Sequence, residues 1–203
     1  MRLRQVGRTA LLIECDDPGQ VEAWRRELWR RRETGDLAVV DIVPGAGTVL
    51  LDGVGPGTAA LLASLTPLLD AAALAEGPLV EVPTVFDGED LADVADLWQV
   101  SVDDAIGRLA SVDFTVAFSG FAPGFGYMRG LPEEWAVPRL AAPRPRVPAG
   151  SVALADAYCG IYPSASPGGW RLVGRTAMEL FDVRRDDPAT LSPGARVKLV
   201  PAS

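Results

Sequence analysis

Residues 119–132 read SGFAPGFGYMRGLP, residues 138–155 read PRLAAPRPRVPAGSVALA, and residues 158–176 read YCGIYPSASPGGWRLVGRT. Glycine serves where a backbone takes a positive φ or approaches another group closely, and proline where φ must be fixed, so this density of both predicts turns held in defined shapes. A disordered linker would fill the gaps with Ser, Gln, Glu and Lys; here the spacers are Phe121, Phe125, Tyr127, Met128, Leu131, Trp135, Val147, Ile161, Tyr162 and Trp170. From Phe114 onward, short apolar runs (FTVAF, SVALA, WRLVG, MELFDV, RVKLV) alternate with such turns. That layout predicts an antiparallel barrel.

Upstream the periodicity changes. Residues 9–14 alternate like a strand, and Pro18 to Arg32 carries Val21, Trp24, Leu28 and Trp29 at helical spacing. Strands at 37–43 and 48–51 flank the turn Pro44-Gly45-Ala46-Gly47, and a helix over 59–73 leads to a strand at 79–84. The order βαββαβ predicts a ferredoxin-like sandwich. Gly77-Pro78 marks the boundary, giving an α+β chain with a ferredoxin-like domain over 1–77 and a barrel domain over 78–203. Two short helices, Glu89 to Trp98 and Val102 to Ala110, open the second part, with Ser101 and Asp104 spaced as a capping box. Gly53-Val54-Gly55-Pro56-Gly57-Thr58 imitates a dinucleotide fingerprint, but Thr58 stands at the third glycine position and no βαβ repeat surrounds it, so it reads as a helix entry turn.

The 203 residues carry a formal net charge of −8, which argues against general nucleic-acid binding. No apolar run approaches the roughly 20 residues needed to span a bilayer, and no basic patch suits a membrane surface. With two cysteines and no signal-peptide pattern, the expectation is a reduced, cytoplasmic protein. Histidine is absent, which removes Ser-His-Asp and Cys-His catalysis and the commonest zinc ligand, so no metal site is expected. Without a histidine to ionise it, Cys159 reads as a packing thiol. No G-x-x-x-x-G-K-[ST] motif occurs, and no catalytic residue can be named.

Against the acidic whole, the Gly/Pro region is basic: Arg129, Arg139, Arg144, Arg146, Arg171 and Arg175 face only Glu133, Glu134 and Asp156 nearby in sequence. A guanidinium grips phosphate or carboxylate bidentately, and ordered turns add backbone N–H donors. Arg139, Arg144, Arg146 and Arg175 are therefore the candidates for an anion site, with Ser166, Gly168, Gly169 and Trp170 as its shaping loop. Phe121, Pro123, Gly124, Tyr127, Ser151, Cys159 and Tyr162 would form its surroundings. The bland alternative is a solvated rim of ion pairs, and for Trp170 a plug at the barrel end.

GFAPGFGYMRGLP, PRLAAPRPRVPAGSVALA, GIYPSASPGGW and GRT, in this order, resemble the B-subunit family of 5-oxoprolinases. The family is also named allophanate hydrolase subunit 1 or KipI-type inhibitor, and is similar to one half of the carboxyltransferase domain of urea amidolyase. GRTALLIE at 7–14 and VVDIVPGAGTVLL at 39–51 extend the likeness over the chain. The resemblance implies a cyclophilin-like barrel and ATP-dependent opening of 5-oxo-L-proline to L-glutamate, with magnesium accompanying ATP and no covalently bound biotin. It implies as partners a small-molecule substrate, a second barrel-containing subunit of the 5-oxoprolinase C type, and one of the A type. It leaves two alternatives, an inhibitor of a sensor histidine kinase and a urea or allophanate carboxyltransferase subunit. Where the family pattern carries histidines, this chain has Leu109 and Ala136.

Overall fold

The first part of the chain is built from β1 (Arg2–Val6), β2 (Ala10–Glu14), α1 (Pro18–Thr34), β3 (Asp41–Pro44), β4 (Thr48–Asp52) and α2 (Thr58–Ser64). The computed structural model describes residues 1–65 and 77–202, which fall into two compact units, Met1–Glu76 and Gly77–Ser203. Helix α1 starts where Asp17 accepts a hydrogen bond from the Gln20 N–H, and it stops at Gly35, whose φ of 80° suits the left-handed cap. Its Val21, Trp24 and Leu28 bury against Leu11, Ile13, Ile42, Val49 and Leu51 of the sheet.

The four strands are antiparallel in the order β1-β2-β4-β3. This is a ferredoxin-like arrangement with one correction to the sequence reading: its outer strand is Arg2–Val6, paired with Ala10–Glu14, and not the strand after α2. Residues 79–84 do form a strand, but in the second unit. Their alternation buries Val82 and Thr84 whichever edge they join, so local periodicity could not say which sheet receives them. Arg2 and Arg4 masked β1 by putting charge on its open face, and both lie within 3.7 Å of Glu14. The helix expected over 59–73 is seen as α2; its later residues lie outside those described.

The second unit contains β5 (Leu79–Thr84), α3 (Leu91–Leu97), α4 (Val102–Ser111), β6 (Phe114–Ser119), β7 (Gly126–Arg129), β8 (Arg144–Val147), β9 (Ser151–Ala155), β10 (Tyr158–Ile161), β11 (Ser166–Gly168), β12 (Arg171–Arg175) and β13 (Arg196–Pro201). Seven strands form a sheet in the order β12-β9-β10-β7-β6-β13-β5. Its ends meet through Val85 and Arg175, which exchange two backbone hydrogen bonds of 2.9 Å, so the sheet is nearly a closed barrel. Strand β5 runs parallel to β13; the other pairings are antiparallel. The Ser101 cap holds, with its hydroxyl accepting from the Asp104 N–H at 3.1 Å. The run MELFDV is no strand; within it Phe181 makes a single bridge to Ala189. No described helix is long and apolar enough to cross a membrane.

Both faces of the barrel sheet are buried, and every residue of β9 is buried. One face sends Phe114, Met128, Leu154, Cys159, Ile161 and Val173 against α3 and α4. The other carries Phe125, Ala153, Tyr162, Trp170 and Leu172, with Val147 added by the ribbon of β8 and β11. Gly160 makes this second layer possible, because a Cβ there would lie 2.7 Å from the Phe125 ring and 2.9 Å from the Trp170 ring.

Candidate functional site

The arginines that drew attention in the sequence have different fates. Arg144 is clamped by Glu89 at 2.6 Å and Asp90 at 2.7 Å, and it also donates to the Trp170 carbonyl at 3.4 Å. Burial works against its charge, but the hydrogen bond and charge of Asp90, with those of Glu89, hold the guanidinium above its usual range. Arg175 pairs with Asp87 at 2.9 Å and Arg171 with Asp93 at 3.0 Å. Thus Arg144 and Arg175 pair with Asp87, Glu89 and Asp90 ahead of α3, and Arg171 with Asp93 within it; Arg144 is largely buried in its clamp, whereas the Arg175 pair lies at the surface. Of the four candidates, Arg139 and Arg146 remain open to a ligand. Arg139 is 59% exposed, 3.7 Å from Asp156 and 5.8 Å from the Trp170 ring centroid; exposed Arg146 has no ion pair among the described residues.

The Gly/Pro motifs converge elsewhere, on a pocket of about 340 Å³. Ala149 and Gly150 come from PRPRVPAGS, Tyr162 and Pro163 from GIYPSASPGGW, and Thr176 from GRT, while residues 177–181 complete the lining. The GFAPGFG loop supports the last of these: Gly124, at φ 83°, lies so close that a Cβ would be 2.7 Å from Phe181 and 3.0 Å from the Leu180 carbonyl. Gly150 joins the walls, its N–H donating to the Tyr162 carbonyl at 2.7 Å and its carbonyl accepting from Thr176 at 2.9 Å. Ser151 is buried and donates its hydroxyl to the Pro148 carbonyl at 2.9 Å, which shapes the same turn. Gly150 has φ 81° and a Cβ would stand 2.2 Å from the Thr176 carbonyl oxygen. Gly150→Ala is therefore expected to cost at least about 1–3 kcal/mol, read as a lowered melting temperature by calorimetry. An unchanged melting temperature would show that this corner is not as rigid as described.

Aromatic rings back the pocket. Phe125 meets Tyr162, Tyr127 and Trp170 edge to face at 5.0–5.5 Å, and Tyr127 stacks on Phe118 at 4.4 Å. Trp170 is 6% exposed and fills this layer as a plug. Burial pushes the Tyr162 hydroxyl above the usual phenol range, opposed by a backbone hydrogen bond at Trp170, so it keeps its proton at neutral pH. Gly168 passes so close that a Cβ would be 2.3 Å from that hydroxyl, and the Gly169 carbonyl accepts from the Leu140 N–H at 2.8 Å. The Ser166 hydroxyl is buried and has no hydrogen-bond partner among the described residues. Phe121 stands out: it is 60% exposed, held at φ 66°, and touches Phe125 and Tyr162 edge-on at 5.3 and 6.0 Å, with exposed Pro123 beside it in sequence.

Cys159 is fully buried, and burial pushes its thiol up to about 12. It is a core residue, as is Leu109, at one of the positions where the family pattern carries histidine. Cys15 is only partly buried, although burial raises its thiol too. Iodoacetamide at pH 8 is expected to label Cys15 in the native chain and Cys159 only after unfolding. Native labelling of Cys159 would contradict the packing. The acidic partners Asp87, Glu89 and Asp90, and the pocket residues after Thr176, escaped the sequence reading. The cluster DGED at 87–90 was the available signal, since it matches the charge excess of the Arg-rich motifs.

Residues 1–191 match the family described as carboxyltransferase domain, subdomain C and D. The chain is 38% identical to the B subunit of 5-oxoprolinase from Escherichia coli O157:H7 over 213 aligned residues, covering 97% of this chain and 94% of that protein. Among solved structures, TTHA0988 superposes with a TM-score of 0.79 at 29% identity, over 97% of this chain and 40% of the other, so the chain spans less than half of that protein. Kluyveromyces lactis urea carboxylase superposes with a TM-score of 0.69 at 21% identity, covering 99% of this chain and 22% of that one, a likeness of fold alone. With its motifs running through the strands and turns of a nearly closed barrel and its sequence matched almost throughout, the chain belongs to the carboxyltransferase subdomain C and D family, alongside the proteins named as B subunits of 5-oxoprolinase.

Proposed function

We propose that this chain is a subunit of an ATP-dependent 5-oxoprolinase, opening 5-oxo-L-proline to L-glutamate together with partner subunits of the A and C types. The observation that carries this reading is the end-to-end match to a 5-oxoprolinase B subunit, 38% identical over 97% of the chain, in a protein whose signature segments build one pocket. An unstrained amide is a poor electrophile, and ATP with magnesium would supply the phosphoryl group that makes its oxygen a leaving group. The chain's part is to bind and orient the small ring, with Tyr162 as a protonated wall; Arg139 and Arg146, which lie outside the pocket lining, are its candidates for contact with a phosphate. Histidine is absent from the chain and Cys159 is sealed in the core, so neither an imidazole nor that thiol of this chain takes part in the proton transfers. Phe121, exposed and strained, suits the role of partner contact.

Reconstitution tests the reading. The purified chain, mixed with A-type and C-type subunits, ATP and 5-oxoproline, is expected to release glutamate, and any single component is expected to release none. Absence of turnover in the full mixture would overturn the assignment, and full turnover by this chain alone would overturn the dependence on partners.

A further inference from the structure

Helix α1 covers only one face of the four-stranded sheet in the first unit, the face that carries Leu11, Ile13, Ile42, Val49 and Leu51. Residues alternate between the faces along a strand, so the strand pairings arrange the opposite face in three rows. Arg4, Leu12, Leu50 and Val43 stand side by side across all four strands. Val6, Ala10, Asp52 and Asp41 form the row on one side of them, and Arg2, Glu14 and Thr48 the row on the other. Leu12 and Leu50, on the two central strands, are only half-buried and join none of the three apolar cores, while Val6 and Val43 are each 40% exposed. An antiparallel sheet that leaves one face to water ordinarily makes that face polar. A pair of leucines at its centre marks a surface for contact with protein.

The charges on this face are sorted by edge. On β1, Arg2 and Arg4 have side chains 79% and 61% exposed and share the single carboxylate of Glu14, each at 3.7 Å, so one positive charge is left over. On the other side of the leucines, Asp41 and Asp52 stand directly opposite each other, and neither has an ion pair among the described residues. Their carboxylates accept only from the neighbouring Ile42 and Gly53 N–H groups, each at 2.8 Å. Like charges opposed across paired strands are destabilising, so this edge lacks a cation where the β1 edge has one to spare.

A second copy of the chain supplies what each edge lacks. Two such faces related by a two-fold axis running along the strands bring β1 of one copy over β3 of the other, on both sides of the axis. The middle rows then stack Leu12 on the other copy's Leu50 and set Arg4 over the other copy's Val43, one row away from Asp41. A two-fold axis across the strands would instead lay β1 on β1 and β3 on β3, like charge on like. The sorted charges thus select one of the two packings, an aligned sandwich with the sheets about 10 Å apart.

We propose that this chain self-associates through the open face of its N-terminal sheet, as a two-fold dimer with Leu12 and Leu50 at its apolar centre and Arg4 of each copy facing Asp41 of the other. This surface is independent of the reaction proposed above. Four strands about 4.8 Å apart, each four or five residues long, make a small face. The area buried falls at the low end for specific interfaces, so the expected dissociation constant is about 10–100 μM.

Sedimentation velocity of the full-length chain between about 5 and 500 μM tests this, and the native chain is expected to pass from monomer to dimer over that range. Arg4→Glu and Asp41→Arg each set like charges against one another twice in the dimer, and each alone is expected to associate at least about tenfold more weakly. Mixed in equal amounts, the two variants are expected to regain native association, because the mixed pair places opposite charges together at both sites. Both residues are exposed, and thermal unfolding checks that each variant keeps its fold; the native concentration series stands whether or not it does. A native chain that stays monomeric throughout, variants that dimerise as well as it does, or a mixture no tighter than its components would each overturn the proposal. Binding of the C-type subunit to this face without self-association would overturn it in favour of a foreign partner.

Discussion

Asp90→Ala is expected to destabilise the barrel unit by about 3–5 kcal/mol, the scale for removing one partner of a buried ion pair. Asp90 is 5% exposed; one carboxylate oxygen accepts from Arg144 at 2.7 Å and the other from the Leu172 N–H at 2.6 Å. Its own N–H donates to the Leu172 carbonyl at 3.0 Å, so the residue ties the start of α3 to β12 by backbone and side chain together. Arg144 in turn reaches the Trp170 carbonyl, and Glu89, with 62% of its side chain exposed, is a weaker substitute for the lost partner. The matched control is Asp93→Ala, which removes a carboxylate 63% exposed from Arg171 and is expected to cost less than about 1 kcal/mol. Urea unfolding with an unchanged m-value distinguishes the two; equal losses would mean that the clamp is not where this unit stores its stability.

Phe121→Gly is expected to weaken association with the partner protein by about 2 kcal/mol or more, some thirtyfold in Kd, while leaving the isolated chain as stable as before. A non-glycine residue in the left-handed region costs roughly 1–2 kcal/mol, and each edge-on ring contact returns roughly 0.5–1.5 kcal/mol. With φ at 66° and only the contacts to Phe125 and Tyr162 to offset it, Phe121 contributes little net stability to the isolated chain. An exposed phenyl ring held under strain in this way fits an anchor for a partner protein. Sedimentation of the mixed subunits and thermal unfolding of the chain measure the two effects. Loss of stability with unchanged association would reverse the argument.

Much of the fold was legible because it is written in local chemistry. Ser101 with Asp104 announced the start of its helix, and the apolar runs of the barrel announced strands at β6, β9, β12 and β13. What stayed hidden depends on long-range choices. β5 pairs in parallel with β13 across most of the second unit, and β1 alternates charged residues that look like surface. The Gly/Pro motifs were read as turns alone, yet β7, β8, β10 and β11 lie within them, because a few residues of pairing leave no period to detect. At the site, composition pointed to arginines, and two of the four candidates turned out to serve Asp87, Glu89 and Asp90, far away in sequence. Residues 177–181, which complete the pocket wall, carry no motif.

The central claim, that the pocket lined by three of the motifs and buttressed by the first is where this family member meets its substrate, is tested most directly by filling it. Ala177 lines the pocket and is exposed, so Ala177→Trp can occupy the space without disturbing the barrel core. In the mixture of subunits described above, the account predicts intact assembly and glutamate release reduced by about a hundredfold or more, the scale of losses when a substrate cannot be seated. Glutamate release at the unmodified rate with the pocket filled would contradict it.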